Sequence, residues 1–160
     1  MTVHSGHPYW VVFNVGDSRV YFFERNTLTQ MTVDHSVVHE LVAAGLISSQ
    51  EAEHHPDSNV VTRAVGFNAV PEPDFWLIPV TSGSRILICS DGLTREVNDR
   101  RLRLHLAAGL NSEETAHALI DAALAEGGRD NVTAIVIDVL GSKNTDTDDP
   151  LEIERTEQRR

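Results

Sequence analysis

Three aspartates share one sequence setting, in which a carboxylate stands beside glycine or another small residue where an apolar run meets a loop. Asp17 and Asp91 each follow such a run, and Asp130 precedes one. Carboxylates gathered at one rim of a sheet repel one another and retain their protons unless a cation is present. Oxygen ligands select a hard cation such as Mg²⁺ or Mn²⁺. The pattern therefore indicates a divalent-metal site, and the alternative is that each aspartate merely hydrogen-bonds its own turn.

A cysteine and an arginine suggest a second chemistry. The segment Cys89–Arg95 has the C-x5-R spacing of phosphatase loops, in which a thiolate lies beneath a phosphate held by backbone N–H groups and the arginine. Here Asp91 would place a carboxylate inside a loop that must hold a phosphate dianion, and nothing beside Cys89 lowers the pKa of its thiol. We therefore interpret Cys89 as a small core residue, with the cysteine phosphatase kept as an alternative.

Other polar groups favour structural roles. Asp34, His35 and Ser36 are residue types of a catalytic triad, but adjacent side chains diverge, and Ser36 is placed to cap a helix. His35 and His39 stand four residues apart without a third nearby ligand, which favours surface or capping roles over metal binding. Arg63 lies in a mostly apolar stretch, where pairing with an acidic neighbour is favoured over contact with a phosphate.

These residues must be positioned by strands and helices that the hydrophobic pattern predicts. Apolar or alternating runs predict strands over Tyr9–Asn14, Arg19–Glu24, Leu28–Val33, Phe75–Val80, Arg85–Ser90 and Val132–Leu140. Helical spacing and capping residues predict helices over Ser36–Ala44, Gln50–His54, Asn98–Ala108 and Ser112–Ala125. The turn at residues 16–18 predicts a hairpin of the first two strands. Strands joined by turns, with helices packed on a sheet face, indicate an α+β fold.

Composition and charge argue against several classes of protein. The 160 residues include 24 Asp and Glu against 13 Lys and Arg, which gives a formal net charge of −11. This balance argues against binding to nucleic acid or to anionic membranes. The single cysteine excludes a disulfide framework and a cysteine-based zinc cluster. No apolar run approaches the roughly 20 residues of a membrane span, and residues 1–7 lack the features of a signal peptide, so we expect a cytoplasmic protein.

The composition changes near the C-terminal end. Residues 1–141 have the apolar content of one folded domain, whereas residues 142–160 are rich in charged residues and contain only two aliphatic ones. We therefore expect one domain over residues 1–141 and a charged, disordered tail or linker over residues 142–160.

Seven segments occur in an order and spacing that together resemble a known family. They are Asn14–Tyr21, Leu28–Ser36, Glu40–Gly45, His55–Pro56, Asn59–Gly66, Ile88–Thr94 and Gly127–Thr133. Any one of them is a weak signal, but their succession over nearly all of residues 10–140 resembles the metal-dependent protein Ser/Thr phosphatases of the PP2C (PPM) type, particularly the bacterial ones.

The resemblance implies a fold, an activity and a set of metal ligands. The fold is a four-layer α/β/β/α sandwich of two antiparallel sheets, with a binuclear Mn²⁺ or Mg²⁺ centre at one end. Asp91 and Asp130 match ligands of the second metal, Asp17 matches an aspartate linked to a weaker third metal, and Asn131 is the partner of Asp130. The implied reaction is hydrolysis of phosphoserine and phosphothreonine by metal-activated water. The implied partners are phosphorylated proteins and a Ser/Thr kinase.

The chain also departs from the family pattern. We find neither the strand with a phosphate-binding arginine nor the Asp-Gly-x-Gly-Gly-His stretch whose aspartate bridges two metals. We therefore expect the N-terminal part of the domain to be missing, metal to bind loosely, and the chain to be weak or inactive alone. Uncovered sheet edges and core faces predict poor solubility or self-association. The alternative function is a catalytically silent fragment that acts as an interaction module.

Overall fold

The computed structural model describes residues 2–4, 7–52, 54–67 and 70–141. The elements, in chain order, are β1 (Thr2–His4), β2 (His7–Asn14), β3 (Arg19–Glu24), β4 (Thr27–Gln30), α1 (Val37–Ala43), α2 (Ser49–Ala52), β5 (Asp74–Pro79), β6 (Arg85–Cys89), α3 (Asp91–Thr94), α4 (Asp99–Leu106), α5 (Ser112–Ala125) and β7 (Ala134–Asp138). The predicted tail, residues 142–160, lies outside the described residues.

The strands form two antiparallel sheets. One sheet has three strands in the order β1-β2-β5, and the other has four in the order β4-β3-β6-β7. In the four-stranded sheet Cys89 is paired with Arg19 on one side and with Ala134 on the other. The start of β3, the end of β6 and the start of β7 therefore lie at the same end of this sheet. The prediction of an α+β fold with two antiparallel sheets is confirmed.

The predicted hairpin of the first two strands is wrong. β2 pairs with β1 and β5, whereas β3 pairs with β4 and β6, so residues 15–18 carry the chain from one sheet to the other. This arrangement lets the inner faces of the two sheets pack against each other. β3 instead forms a hairpin with β4 through Arg25 and Asn26, which have φ of 49° and 64°. Two successive positive φ angles are typical of a tight hairpin turn.

Helices α4 and α5 cover one face of the four-stranded sheet. Tyr21 and Leu87 point from the sheet into a fully buried cluster, where they meet Leu102 of α4 and Leu119 of α5. The N-caps explain where these helices begin. Asn98 accepts a hydrogen bond from the backbone of α4, and Asn111 forms a reciprocal capping box with the third residue of α5.

The opposite face of the four-stranded sheet meets the three-stranded sheet. Val20, Ile86 and Ile78 are buried between the two sheets, and an apolar cavity of about 260 Å³ remains beside them, lined by Trp10, Val12, Val20, Ile86, Ile88 and Ile137 among others. The described residues thus supply both sheets and one helical layer of the expected sandwich.

The outer face of the three-stranded sheet is bare among the described residues. We call Val11, Phe13, Phe75 and Leu77 the bare face, because 43–69% of each side chain is exposed. They form one surface, since Phe13 is paired with Phe75 and Val11 with Leu77. The second helical layer that the family resemblance implies is not among the described elements, so the four-layer sandwich stays a prediction.

The remaining elements follow the sequence closely. Ser36 caps α1 through a hydrogen bond from the His39 backbone, and Gly45 follows its end with a φ of 69°. The strand β1 and the short helix α3 were not predicted, because three or four residues give too little periodicity. Within the described part of the chain, no helix is long and apolar enough to span a membrane.

Candidate functional site

The three predicted aspartates meet at the end of the four-stranded sheet, around the side chain of Arg95. Guanidinium nitrogen Nη2 lies 2.5 Å from Asp91 Oδ2 and 4.0 Å from Asp17 Oδ2. The other terminal nitrogen, Nη1, lies 3.2 Å from Asp130 Oδ2 and donates a hydrogen bond to it. The structure therefore brings all three residues together, while their role as metal ligands stays a prediction.

The position of Asp91 follows from β6 and α3. β6 ends at Cys89 and Asp91 opens α3, so its carboxylate stands at the rim of the sheet. Arg95 comes four residues later, and its backbone N–H donates to the Asp91 carbonyl at 2.9 Å. Side chains four residues apart in a helical turn lie on one face. The Asp91–Arg95 ion pair is therefore built into this single turn.

Asp130 is held by close contact between its loop and the start of α3. A Cβ added to Gly92 would lie 2.3 Å from the carbonyl oxygen of Asn131, so only glycine allows this approach. Ser90 fixes the same loop, since its Oγ donates to the Asn131 carbonyl and accepts from the Thr133 backbone N–H. The segment Ser90–Gly92 therefore both carries Asp91 and positions Asp130 beside it.

Asp17 is held by the segment that follows β4. The backbone N–H of Gly16 donates to Nδ1 of His35 at 3.1 Å, and the backbone N–H of His35 donates to the Gly16 carbonyl at 3.0 Å. The side chain of Asn14 donates to the same carbonyl. Gly16 has a φ of 118°, which favours glycine. The turn before Asp17 is therefore fixed by polar contacts, in contrast to the tight packing that holds Asp130.

A partly buried ion pair fixes the other side of the Asp17 turn. Arg19 donates through Nε and Nη2 to the carboxylate of Asp34, with the shortest distance 2.7 Å, and through Nη1 to the hydroxyl of Tyr21. Burial opposes the charge of Arg19, but the hydrogen bond to Asp34 leaves its pKa raised. Burial also raises the pKa of Tyr21, whose hydroxyl donates to Asp99. His35 therefore binds the residue before Asp17, through Gly16, and Asp34 binds Arg19, two residues after it.

His35 also connects the turn to β5. Because its Nδ1 accepts from Gly16, the ring proton is assigned to Nε2, which donates to Asp74 Oδ2 at 3.0 Å. This hydrogen bond lowers the pKa of Asp74, and the ion pair with Arg63 at 3.2 Å acts in the same direction. His35 is only 4% exposed, so the predicted surface or capping role is wrong. The predicted acidic partner of Arg63 is Asp74.

Crowding of like charges is visible at Asp17. Burial is the largest cause that raises the pKa of its carboxyl group, and the charge of Asp91 adds to it. Arg95 acts in the opposite direction and favours the charged carboxylate. The cluster therefore needs a cation, and in this arrangement the guanidinium is that cation.

The donor set fits a hard divalent ion in its chemistry, because carboxylate oxygens from separate loops converge at a partly exposed rim. The positions of these side chains do not fit such an ion directly. In the described part of the chain, no group of three His, Cys, Asp or Glu side chains is placed to hold a metal directly. The carboxylates face the guanidinium instead.

The structure disfavours thiolate chemistry at Cys89. Its side chain is 2% exposed in the core beneath α4 and α5, and burial raises the pKa of the thiol to about 12. The arginine of the C-x5-R spacing is engaged by carboxylates, which would repel a phosphate. Cys89 is the core residue that the sequence indicated.

Some functional contacts were missed at the sequence level. Arg95 was considered only as part of the cysteine motif, although its spacing of four from Asp91 is a recognisable ion-pair signal. Two further contacts carried no such signal, because the residues that form them are distant in the chain. His35 and Asp74 are 39 residues apart, and Arg19 and Asp34 are 15 residues apart.

The chain is similar to bacterial serine/threonine phosphatases in sequence. It is 40% identical over 128 residues to the serine/threonine phosphatase stp of Listeria welshimeri, which covers 80% of this chain and 51% of that protein. No protein-family model matches the chain.

Solved structures show the same likeness in three dimensions. The crystal structure of the Mycobacterium tuberculosis phosphatase PstP/Ppp matches with a TM-score of 0.78 and 38% identity, over 83% of this chain and 56% of that one. A structure of the PstP catalytic domain in complex with two manganese ions matches with a TM-score of 0.75 and 35% identity, over 87% and 56%.

By sequence and fold, the chain belongs to the family of bacterial PP2C-type Ser/Thr phosphatases. It spans about half the length of the relatives that it matches. For this chain, the activity, substrates and partners of those whole proteins are therefore only proposed.

Proposed function

We propose that this chain carries part of the metal centre of a protein phosphatase that hydrolyses phosphoserine and phosphothreonine with Mn²⁺ or Mg²⁺. The observation that carries the proposal is the convergence of Asp17, Asp91 and Asp130 at one rim of the four-stranded sheet. The manganese ions in the PstP structure support the choice of metal.

In this proposal Asp91 and Asp130 hold one divalent ion, and Asp17 assists a further one. A bound ion would supply activated water and neutralise charge on the phosphoryl oxygens. Gly92 and Ser90 keep Asp130 beside Asp91, and His35 with Asp34 keeps the Asp17 turn against the same rim. Phosphorylated proteins are the proposed substrates, and a Ser/Thr kinase is the proposed counterpart.

The direct test is hydrolysis of a phosphopeptide and of an aryl phosphate by the purified chain. It is run with Mn²⁺, with EDTA, and with the Cys89→Ser variant. Activity that needs Mn²⁺, disappears in EDTA and survives Cys89→Ser supports the metal mechanism. Activity that survives EDTA and is lost in Cys89→Ser would instead support the cysteine phosphatase.

A matched pair of variants assigns the activity to the cluster. Asp130→Asn keeps the size of the side chain and removes its charge, so it should abolish Mn²⁺-dependent turnover. Asp121→Asn removes an exposed carboxylate from α5 and should leave turnover unchanged. Mn²⁺-dependent turnover that is measurable and equal in both variants would remove Asp130 from the site.

A catalytically silent interaction module is the second candidate. The bare face favours it, because exposed apolar patches often mark interaction surfaces. No hydrolysis under any condition, together with a well-folded chain, would favour this candidate.

The cytoplasmic location and the domain limits stay predictions.

A further inference from the structure

The guanidinium of Arg95 stands among three carboxylates that come from three different parts of the chain. Asp17 lies on the link between the sheets, Asp91 opens α3, and Asp130 precedes β7. One guanidinium contacts all three, at 4.0, 2.5 and 3.2 Å. No other cation in the described residues forms an ion pair with any of the three.

The helical backbone of α3 places Arg95 beside these carboxylates. Its N–H donates to the Asp91 carbonyl, so the side chain leaves the helix one turn after Asp91 and on the same face. The side chain of Arg95 is 34% exposed, which leaves a path for the guanidinium to swing into solvent. Arg95 is therefore held at the cluster by ion pairs and not by burial.

We propose that Arg95 is a built-in counter-cation that takes the place of a divalent ion beside Asp17 and Asp91, so that metal binds there only when the guanidinium withdraws. This inference rests on the proposed function for the role of the aspartates as metal ligands.

Two physical effects make the guanidinium and the ion compete. Arg95 donates a hydrogen bond to Asp130 Oδ2 and forms an ion pair with Asp91 Oδ2, and carboxylate oxygens are the groups that a divalent ion would coordinate. A guanidinium and a divalent ion a few ångströms apart also repel each other, and a partly buried rim screens that repulsion less than bulk water does. Arg95 therefore keeps the carboxylates assembled without metal and raises the metal concentration needed to fill the site.

The test measures Mn²⁺ binding to the full chain by the electron paramagnetic resonance signal of free Mn²⁺. Arg95→Gln removes the charge and should bind Mn²⁺ about tenfold more tightly than the wild type, which corresponds to about 1.4 kcal/mol. Arg129→Gln is the matched control, because Arg129 forms its ion pair with Glu96, the neighbour of Arg95 in sequence. This control should bind Mn²⁺ as the wild type does.

Thermal unfolding supplies a readout that needs no activity. In EDTA, Arg95→Gln should melt about 2–4 °C below the wild type, because three carboxylates lose their shared cation. Added Mn²⁺ should raise its melting temperature by more than that of the wild type. Mn²⁺ affinity in Arg95→Gln that is equal to or weaker than in the wild type, including no binding by either protein, overturns the proposal.

A measurement on the wild type covers the case in which Arg95→Gln does not fold. The Arg95 side-chain N–H resonance, assigned by its disappearance in Arg95→Lys, is followed during a Mg²⁺ titration. A shift towards the position of a free guanidinium as Mg²⁺ binds supports displacement, whereas Mg²⁺ binding with an unchanged resonance contradicts it. Tighter Mn²⁺ binding by Arg95→Gln without phosphatase activity would count against the hydrolysis that the proposed function assigns, and it would leave the Arg95 inference standing, because that inference needs only the metal-binding role of the aspartates.

Discussion

The two sheets of this chain differ in how completely their surfaces are covered. The four-stranded sheet has helices on one face and the second sheet on the other, and Tyr21 and Leu87 in its centre are fully buried. The three-stranded sheet is covered on one face only, with Phe13 and Phe75 more than 60% exposed on the other. The candidate site lies at the rim of the well-covered sheet.

This difference in coverage matters for how each residue of the candidate site is positioned. Asp91, Asp130 and Arg95 are positioned by contacts within the four-stranded sheet and its helices. Asp17 is positioned by polar contacts that involve both sheets, since His35 bonds Gly16 and also Asp74 of β5. The rim that carries the candidate site is therefore best defined where the core is complete.

The largest expected effect comes from the same substitution in each sheet. Leu87→Ala removes a fully buried side chain and should cost about 2–5 kcal/mol in the free energy of unfolding. Leu77→Ala lies on the bare face with 56% exposure and should change stability by about 0.5 kcal/mol. Urea denaturation measures both. Similar losses in the two variants would mean that the bare face is covered in solution.

The next effect tests the contact that holds Asp130. Gly92→Ala would force a methyl group against the Asn131 carbonyl, which should cost about 1–3 kcal/mol and move the Asp130 loop away from Arg95. Thr94→Ala, in the same short helix, removes a hydroxyl group without such a clash and should cost less than about 1 kcal/mol. Amide chemical shifts of residues 130–133 report the loop. Unchanged shifts in Gly92→Ala would show that the two segments are not in close contact.

Much of this architecture was predictable from local pattern. Helix α5 spans the predicted residues, and Ser36, Asn98 and Asn111 act as caps because their side chains bond nearby backbone. The convergence of the three aspartates was also expected, since each stands where an apolar strand meets a loop. The helix and its caps depend on residues within a few positions of one another, so local sequence is enough to predict them. The convergence was inferred instead from the matching strand-end setting of each aspartate.

The errors concern partners that are distant in the chain. The choice between a β2–β3 hairpin and two facing sheets depends on which sheet each strand joins, and the alternation of apolar residues is the same in both cases. His35 looks like a surface residue in sequence, but its partners are Gly16 and Asp74, on two other segments. The contact of Arg95 with Asp130, 35 residues away, has no local signal, although its spacing of four from Asp91 is one.

Self-association is the third prediction, and it concerns the bare face directly. Phe75→Lys places a charge on the bare face, so the chain should shift from oligomers towards monomer at equal concentration. Leu104→Lys is the control, because Leu104 is 52% exposed on α4, away from that sheet. Sedimentation velocity gives the mass distribution. A wild-type chain that is already monodisperse and monomeric would refute the prediction.

The smallest expected effect lies at Asp17, on the link between the two sheets. Burial and the charge of Asp91 raise the pKa of this carboxyl group in the folded chain. The folded state therefore retains a proton that the unfolded chain has already lost, so this group lowers stability as the pH rises through and above the ordinary value of 3.8. Asp17→Asn removes the charge and should stabilise the metal-free chain near pH 7 by roughly 0.5 kcal/mol.

The pH dependence distinguishes this cause from a general effect of losing a carboxylate. The gain in Asp17→Asn over the wild type should shrink as the pH falls towards 3.8, where both states of the wild type become protonated. Asp121→Asn, on the exposed side of α5, should show no such trend. Urea midpoints measured in EDTA between pH 4 and 8 provide the comparison. A loss of stability in Asp17→Asn near pH 7 that disappears as the pH falls would mean that Asp17 is held mainly by Arg95, and that repulsion from Asp91 is the weaker force at this rim.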